Sequence, residues 1–287
     1  MSDSRRMLII ISAARSGSKF LRDLLGASRQ CAVVPYDINY VWRHGNESAS
    51  DDALLPESVD ERQIAYIRKV IPRLAGVRRA SDQRLVIEKT VSNALRVPFV
   101  ARIFPDAKFV HLIRDGRAVA ESTRRVWNEL PASAYMLDKL RYFPMRNYHY
   151  ALWYLRNHLR LGGGRSSRAV WGPRYPGIAS DLESMNLLAV CARQWSQCLQ
   201  FAEIELASLP HEQVYTVRYE DLVDGADPLA ELCEFAGIDE VEPIHAAWAA
   251  RIEVLNRDKW RQGLTDAELL TLENQIGRQL RNKGYSR

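Results

Sequence analysis

Five short, nearly continuous apolar runs constrain this chain most. They read MLIIIS (7–12), CAVV (31–34), RLVIE (84–88), KFVHLI (108–113) and QVYTVRY (213–219). Runs of this kind suit strands buried on both faces, as in a parallel sheet. Helical spacing fills the intervals. Phe20, Leu21, Leu24 and Leu25 share a face over 19–27, and Ile64, Ile67, Ile71 and Leu74 share one over 60–74. A third helix is expected over 92–104, opened by Ser92 as cap and interrupted by Pro98. A fourth opens at Asp115-Gly116 and runs to Trp127, and Thr265 with Glu268 forms a capping box for a last one. Strands alternating with helices predict an α/β fold: a central parallel sheet flanked by helices, joined by right-handed crossovers.

The length of 287 residues, with 47% hydrophobic content, suits one large domain over 1–287. From about 128 to 181 no strand pattern appears, and Tyr, Trp, Arg and Gly dominate. That stretch is expected to be an inserted helical and loop region. A net charge of +5 suggests an anionic ligand. The basic residues are dispersed rather than set in a stripe, so a nucleic-acid partner is not expected. Cys31, Cys191, Cys198 and Cys233 show no C-x-x-C spacing, which predicts free thiols in a reducing compartment. The apolar run Met7 to Ile11 is too short for a signal-peptide core, and no stretch approaches the ~18 apolar residues of a membrane span. A cytoplasmic protein without an integral membrane segment is the expectation.

Two strand ends carry anion chemistry. After the first strand comes Arg15-Ser16-Gly17-Ser18-Lys19, leading into a helix. A helix start offers unpaired N–H groups and a positive dipole end, and Gly17 lets the backbone approach an anion. Ser16 and Ser18 can donate hydrogen bonds, and Arg15 and Lys19 add charge. The order departs from G-x-x-x-x-G-K-[ST], which disfavours a triphosphate P-loop. After the fourth strand comes Arg114, at the carboxyl edge where open α/β sheets bind ligands, with Ser122 eight residues on. A bland alternative remains, in which Arg114 and Arg117 are surface residues and Ser122 is a neutral helix position.

Together, "ARSGSKFL" and "LIRDGRAVAES" resemble the sulfotransferase family, in bacterial form and nearer its carbohydrate and tyrosylprotein branches. "VRYEDLVDGADPLAELCEFAGI" and the stretch from Asp258 to Tyr285 are similar to further family segments, so the likeness covers about 7–126 and 185–285. It implies a P-loop-like sulfotransferase fold with 3′-phosphoadenosine 5′-phosphosulfate as sulfuryl donor and no metal. It also implies that Arg15, Ser16, Gly17, Ser18 and Lys19 cradle the 5′ end beside Phe20. Arg114 and Ser122 would hold the 3′-phosphate, and Tyr219 would contact adenine, unless it is a core strand residue. Arg257 or Lys259 would close over the nucleotide.

"VIEKTVSN" resembles the E-K-T-P segment of carbohydrate sulfotransferases, with Val91 in place of proline. The resemblance turns Lys89 toward the reacting centre; the alternative pairs it with Glu88 or another acid. Sulfuryl transfer also needs a base for the acceptor hydroxyl. In "VVPYDINYVWRHGNE", Asp37 is the first candidate, His44 the second and Glu47 the third. His111, inside an apolar strand, is expected to be a core histidine. Aromatics interleaved with arginines in 128–181 suit sugars and equally any flat or acidic ligand. The branch resemblance implies that this insertion binds the acceptor and that the acceptor is a carbohydrate or glycolipid, with a small phenolic or lipid alcohol as the alternative. The competing classes are an ATP-dependent small-molecule kinase and a non-catalytic nucleotide-binding module.

Overall fold

The structure is a computed structural model that describes residues 5–128, 170–252 and 259–285. Its five strands are β1 (Met7–Ile11), β2 (Cys31–Val33), β3 (Leu85–Glu88), β4 (Lys108–Ile113) and β5 (Val214–Arg218). They form one sheet in the order β2-β3-β1-β4-β5. Every pairing is parallel. β1 is central because all five of its residues are apolar and all five are buried. Side-chain alternation divides them: Met7, Ile9 and Ile11 face one helical layer, Leu8 and Ile10 the other. A side chain fully buried in this way contributes roughly 1.5–3 kcal/mol.

One layer contains α3 (Glu61–Leu74), α4 (Val97–Ile103), α5 (Gly116–Asn128), α7 (Leu187–Leu206) and α11 (Asp266–Asn282). The other contains α1 (Ser18–Leu25), α9 (Asp227–Ala236) and α10 (Glu242–Arg251). Three short helices, α2 (Asn39–Trp42), α6 (Ile178–Ser184) and α8 (Tyr219–Asp224), lie close after strand ends or before long helices. The expected capping box at Thr265 and Glu268 is present, and Asp60 with Gln63 forms another.

Three local expectations change. Pro98 does not interrupt a helix but opens α4 from its first turn, where its missing N–H costs nothing. Ser92 lies within the short 3₁₀ helix Val91–Leu95 and donates to Asp52 at 2.9 Å instead of capping. Tyr219 is not a strand residue; it begins α8. Of the 128–181 stretch, residues 129–169 lie outside the described residues, and the remainder is a loop leading into α6.

Among the described residues no helix is long and apolar enough to cross a membrane. All four cysteines are free and buried. Burial pushes the thiols of Cys31 and Cys191 up to about 12 and that of Cys233 to about 11, so they are inert as nucleophiles at neutral pH.

Candidate active site

The sheet order places the site. The chain leaves β1 toward β2 and leaves β4 toward β5, so the loops after these neighbouring strands diverge and open a crevice at their carboxyl ends. The first anion motif lines one side of that crevice and the second lines the other.

In the first loop two residues take left-handed backbone, Arg15 at φ 66° and Gly17 at φ 93°. Alternation of this kind turns successive N–H groups into one concavity, a nest for an anion. Gly17 is the N-cap of α1 and supplies no side-chain cap, which leaves the helix end open to an external acceptor. Ser16 is 1% exposed, and its hydroxyl has no hydrogen-bond partner among the described residues. A buried orphan donor beside an uncapped helix start fits an anionic oxygen.

The second motif meets the first directly. Arg15 Nε donates to Ser122 Oγ at 3.1 Å, and Arg114 Nη1 donates to the Arg15 carbonyl at 3.2 Å. The Arg114 guanidinium lies 4.2 Å over the Tyr219 ring, which meets Phe20 edge-on at 6.1 Å. Tyr219 also closes on the loop: a Cβ on Gly17 would stand 2.3 Å from its Cδ2. Gly17→Ala therefore combines left-handed strain with a steric clash. It is expected to reduce affinity for a phosphate-bearing ligand at least tenfold, read by calorimetry, with the fold retained in circular dichroism; unchanged affinity would contradict this geometry.

Lys19 does not join the cluster. Its side chain is 75% exposed and bonds Asp23 at 2.6 Å, one helical turn on. Arg22, buried on the same helix, donates to the Pro35 carbonyl at 2.7 Å and to Asp23 at 2.9 Å. Burial alone would raise the Asp23 carboxyl, but its bonds to Lys19 and Arg22 hold it below the usual carboxylate range. The residue that this wiring anchors is the start of the 35–52 loop.

Lys89 and Asp37 do come together. β3 lies beside β1, with Glu88 in register with Ile9, so Lys89 emerges next to the first loop. Its Nζ is 3.9 Å from Asp37 Oδ2, and both side chains are largely shielded. Asp37 also accepts from the Val91 amide at 3.2 Å and the Asn39 amide at 3.3 Å. The carboxylate is thus held against the lysine from two backbone positions. Lys89 pairs with Asp37 across the site, not with its neighbour Glu88.

Glu88 is fully buried, accepting from Thr90 Oγ1 at 2.5 Å and Asn93 Nδ2 at 3.1 Å. Burial, reinforced by the nearby Asp37 charge and opposed by the Thr90 bond, pushes its carboxyl up to about 7. Thr90 Oγ1 in turn accepts from the Ile38 amide at 3.1 Å, so Glu88 braces the residue after Asp37. Behind it lies Asp52, 1% exposed, bonded to Arg43 at 2.8 Å, Asn39 at 3.1 Å and the Arg174 amide at 2.9 Å. Burial would raise the Asp52 carboxyl, but Arg96, the Arg174 amide, Arg43 and Asn39 overcome it and hold the group below the usual range.

The other candidates fall elsewhere. His44 stacks on Tyr66 of α3 with ring centroids 3.9 Å apart and approaches Glu47 at 3.8 Å. Glu47 also accepts from the Gly45 amide at 3.0 Å, a local turn contact. His111 is a core residue whose burial lowers it to about 4 and keeps it neutral. Arg257 and the Lys259 side chain lie outside the described residues. Two contributors have no motif of their own, Trp195, whose indole donates to the Arg114 carbonyl at 3.1 Å, and Asp52; a third, Glu220, lies within VRYEDLVDG, where no role was expected of it. The acidic pair after the fifth strand, Glu220-Asp221, is a sequence signal for a helix start, but nothing local reveals its partner.

A model of the sulfotransferase family matches residues 8–165, more than half of the chain. The chain belongs to the sulfotransferase family. No curated protein matches the sequence significantly. Among solved structures, the sulfotransferase domain from the curacin biosynthetic pathway is 17% identical, with a TM-score of 0.51 over 95% of this chain and 98% of that one. The sulfotransferase domain from the Synechococcus PCC 7002 olefin synthase is 19% identical, with a TM-score of 0.51 over 94% of both chains. A mouse sulfotransferase complexed with PAP is 12% identical, with a TM-score of 0.50 over 98% of this chain and 89% of that one. These likenesses show a shared sulfotransferase fold, a single α/β domain with a five-strand parallel sheet. The family match runs on to residue 165, through much of the stretch read above as an insertion.

Proposed function

We propose that this sulfotransferase moves a sulfuryl group from 3′-phosphoadenosine 5′-phosphosulfate to an acceptor hydroxyl, with a carbohydrate or glycolipid as the acceptor class. One observation carries the donor reading: two anion motifs 99 residues apart close on each other through Arg114 and the Arg15 carbonyl. A nucleotide phosphorylated at both ends gives each motif a separate phosphate. The orphaned Ser16 hydroxyl and the uncapped start of α1 suit the 5′ end. Arg114 and Ser122 suit the 3′-phosphate, and the Phe20–Tyr219 pair offers the adenine an aromatic face.

When bound, the donor supplies an activated sulfuryl group whose leaving group is a phosphate. The chain's own residues supply orientation, charge and proton removal. Arg15 and Lys89 neutralise charge on the oxygens in flight, and Asp37 accepts the hydroxyl proton at Oδ1 or Oδ2. The acceptor reading rests on the branch resemblance and on Tyr36, the half-buried neighbour of Asp37 in the chain, whose hydroxyl lies 3.1 Å from that of the buried Tyr40. An aromatic face of this kind can stack on a sugar ring.

Adenosine 3′,5′-bisphosphate at a hundred times its Kd is expected to raise the melting temperature by several degrees, since mass action adds about 2.7 kcal/mol. ATP with magnesium is expected to do much less. Stabilisation by ATP with magnesium alone would replace this reading with a kinase, and a shift with neither would favour a binding module. Labelled-sulfate transfer to a panel of glycans and phenols then tests the acceptor class.

A further inference from the structure

Tyr285 belongs to none of the anion motifs, yet it is wired to one of them. α11 ends at Asn282 with Lys283 as its C-cap, Gly284 takes φ 75°, and two bonds close the end: Gly284 N to the Arg281 carbonyl at 3.0 Å and Tyr285 N to the Leu280 carbonyl at 2.9 Å. That pair of bonds is a Schellman motif, and it fixes the direction in which Tyr285 leaves the helix. The residue is 6% exposed. Its hydroxyl donates to Glu220 Oε2 at 2.9 Å, and the Arg218 guanidinium covers its ring at 4.5 Å. Burial, with the Glu220 charge beside it, pushes the phenol well above its ordinary value, so it stays protonated and remains a donor.

The other oxygen of Glu220 accepts from the Asp115 amide at 3.0 Å. The carbonyl in the same peptide group, that of Arg114, accepts from the Trp195 indole at 3.1 Å. One peptide plane is therefore clamped at both its donor and its acceptor. Close approach makes this possible: a Cβ on Gly116 would stand 2.8 Å from the Trp195 ring. The clamped plane sets the direction in which Arg114 leaves β4 to reach Tyr219 and the Arg15 carbonyl.

Glu220 also feels a second charged neighbour, Arg218, whose guanidinium, against the effect of burial, it helps to hold above the ordinary value. Arg218 Nε is buried without a hydrogen-bond partner among the described residues, two positions away. The Tyr285 hydroxyl holds the carboxylate toward Asp115. Without it, one buried oxygen loses its donor and the carboxylate gains by turning to Arg218.

We propose that Tyr285, acting through Glu220, is a positioning residue for Arg114 and thereby sets the site's preference for a nucleotide with a 3′-phosphate. This rests on the reading of Arg114 and Ser122 as the 3′-phosphate grip. Tyr285→Phe removes only the hydroxyl and keeps the ring under Arg218, so the fold is retained. Calorimetry on the full chain compares adenosine 3′,5′-bisphosphate with adenosine 5′-monophosphate. Tyr285→Phe is expected to lose about tenfold in affinity for the bisphosphate and less than twofold for the monophosphate, the scale of one charge-assisted hydrogen bond. On an Arg114→Ala background, Tyr285→Phe is expected to have no further effect. Undiminished bisphosphate affinity, equal losses for both nucleotides, or a full loss persisting without Arg114 would each overturn the proposal. A wild-type chain that binds neither nucleotide would remove the donor reading itself, and this inference with it.

Discussion

Lys89→Ala is expected to slow sulfuryl transfer about a thousandfold while changing affinity for adenosine 3′,5′-bisphosphate only a few-fold. The size follows from what a preorganised cation does in a shielded site, where removing one donor to developing charge costs ~10²–10³ in rate. Lys89 qualifies because its side chain is 14% exposed and it leaves the strand adjoining β1, next to the donor loop. Little nucleotide affinity should depend on it, because in the proposed donor complex the phosphate contacts come from Arg15, Ser16, Arg114 and Ser122. Asp37→Asn is expected to slow the same step by ~10²–10⁴, the range for a lost general base. It keeps the two backbone amide contacts and the shape of the loop. The check is a single-turnover measurement of labelled sulfate delivered to the best acceptor of a glycan and phenol panel, alongside calorimetry. Wild-type turnover in Lys89→Ala, or an equal loss of nucleotide binding and rate, would remove Lys89 from the reacting centre.

Asp52→Ala is expected to lower the melting temperature by on the order of 10 °C, equivalent to roughly 3–5 kcal/mol for breaking a buried ion pair. Arg43 is 2% exposed and Arg96 fully buried, and Asp52 is the carboxylate both face. Arg96 Nη1 lies 3.9 Å from it, an ion pair without a hydrogen bond, so the charge matters there more than the contact. The pH dependence has a definite sign. The folded-state carboxyl is held below its ordinary value of 3.8. Its contribution is therefore complete above that value and lost as pH falls through the lower folded value. Wild-type protein should lose stability on acidification below about pH 4 more steeply than Asp52→Ala does. Melting curves between pH 3 and pH 7 test both points. A variant that melts within a degree of wild type at pH 7 would show that Arg43 is satisfied by its loop carbonyls alone.

Loss of Asp52 should also reach the active site. It bonds Asn39 and Ser92, which flank Asp37 and Lys89 in sequence, and its amide donates to the Arg174 carbonyl at 2.8 Å. Asp37, the lysine strand end and the loop after residue 170 thus share one buried support.

The strands were legible because burial on both faces leaves a local signature, and each observed strand falls within its apolar run to within a residue or two. The proposed donor loop could be singled out because a helix start suited to anions needs small residues and cations within a few positions. The pairing of Lys19 was hidden for an equally local reason: composition counts a cation but does not show that Asp23, four residues on, stands on the same helix face. Tyr219 was misplaced because the apolar run continues one residue past the strand, and only the turn of the chain into α8 separates the two.

The amino-acid sequence by itself determined the parallel α/β architecture and the positions of the two cationic strand-end motifs and of the lysine at a third strand end, because each depends on neighbours within about ten positions. Only the tertiary structure decided which groups meet. The sheet order set β4 and β3 on either side of β1, and so brought Arg114 to Arg15 and Lys89 with Asp37 to the same edge. It also joined Tyr285 to Glu220 across 65 residues and Glu220 to Asp115 across 105. Such partners carry no local periodicity; they are chosen by packing, where a buried carboxylate must find its donors wherever the fold places them.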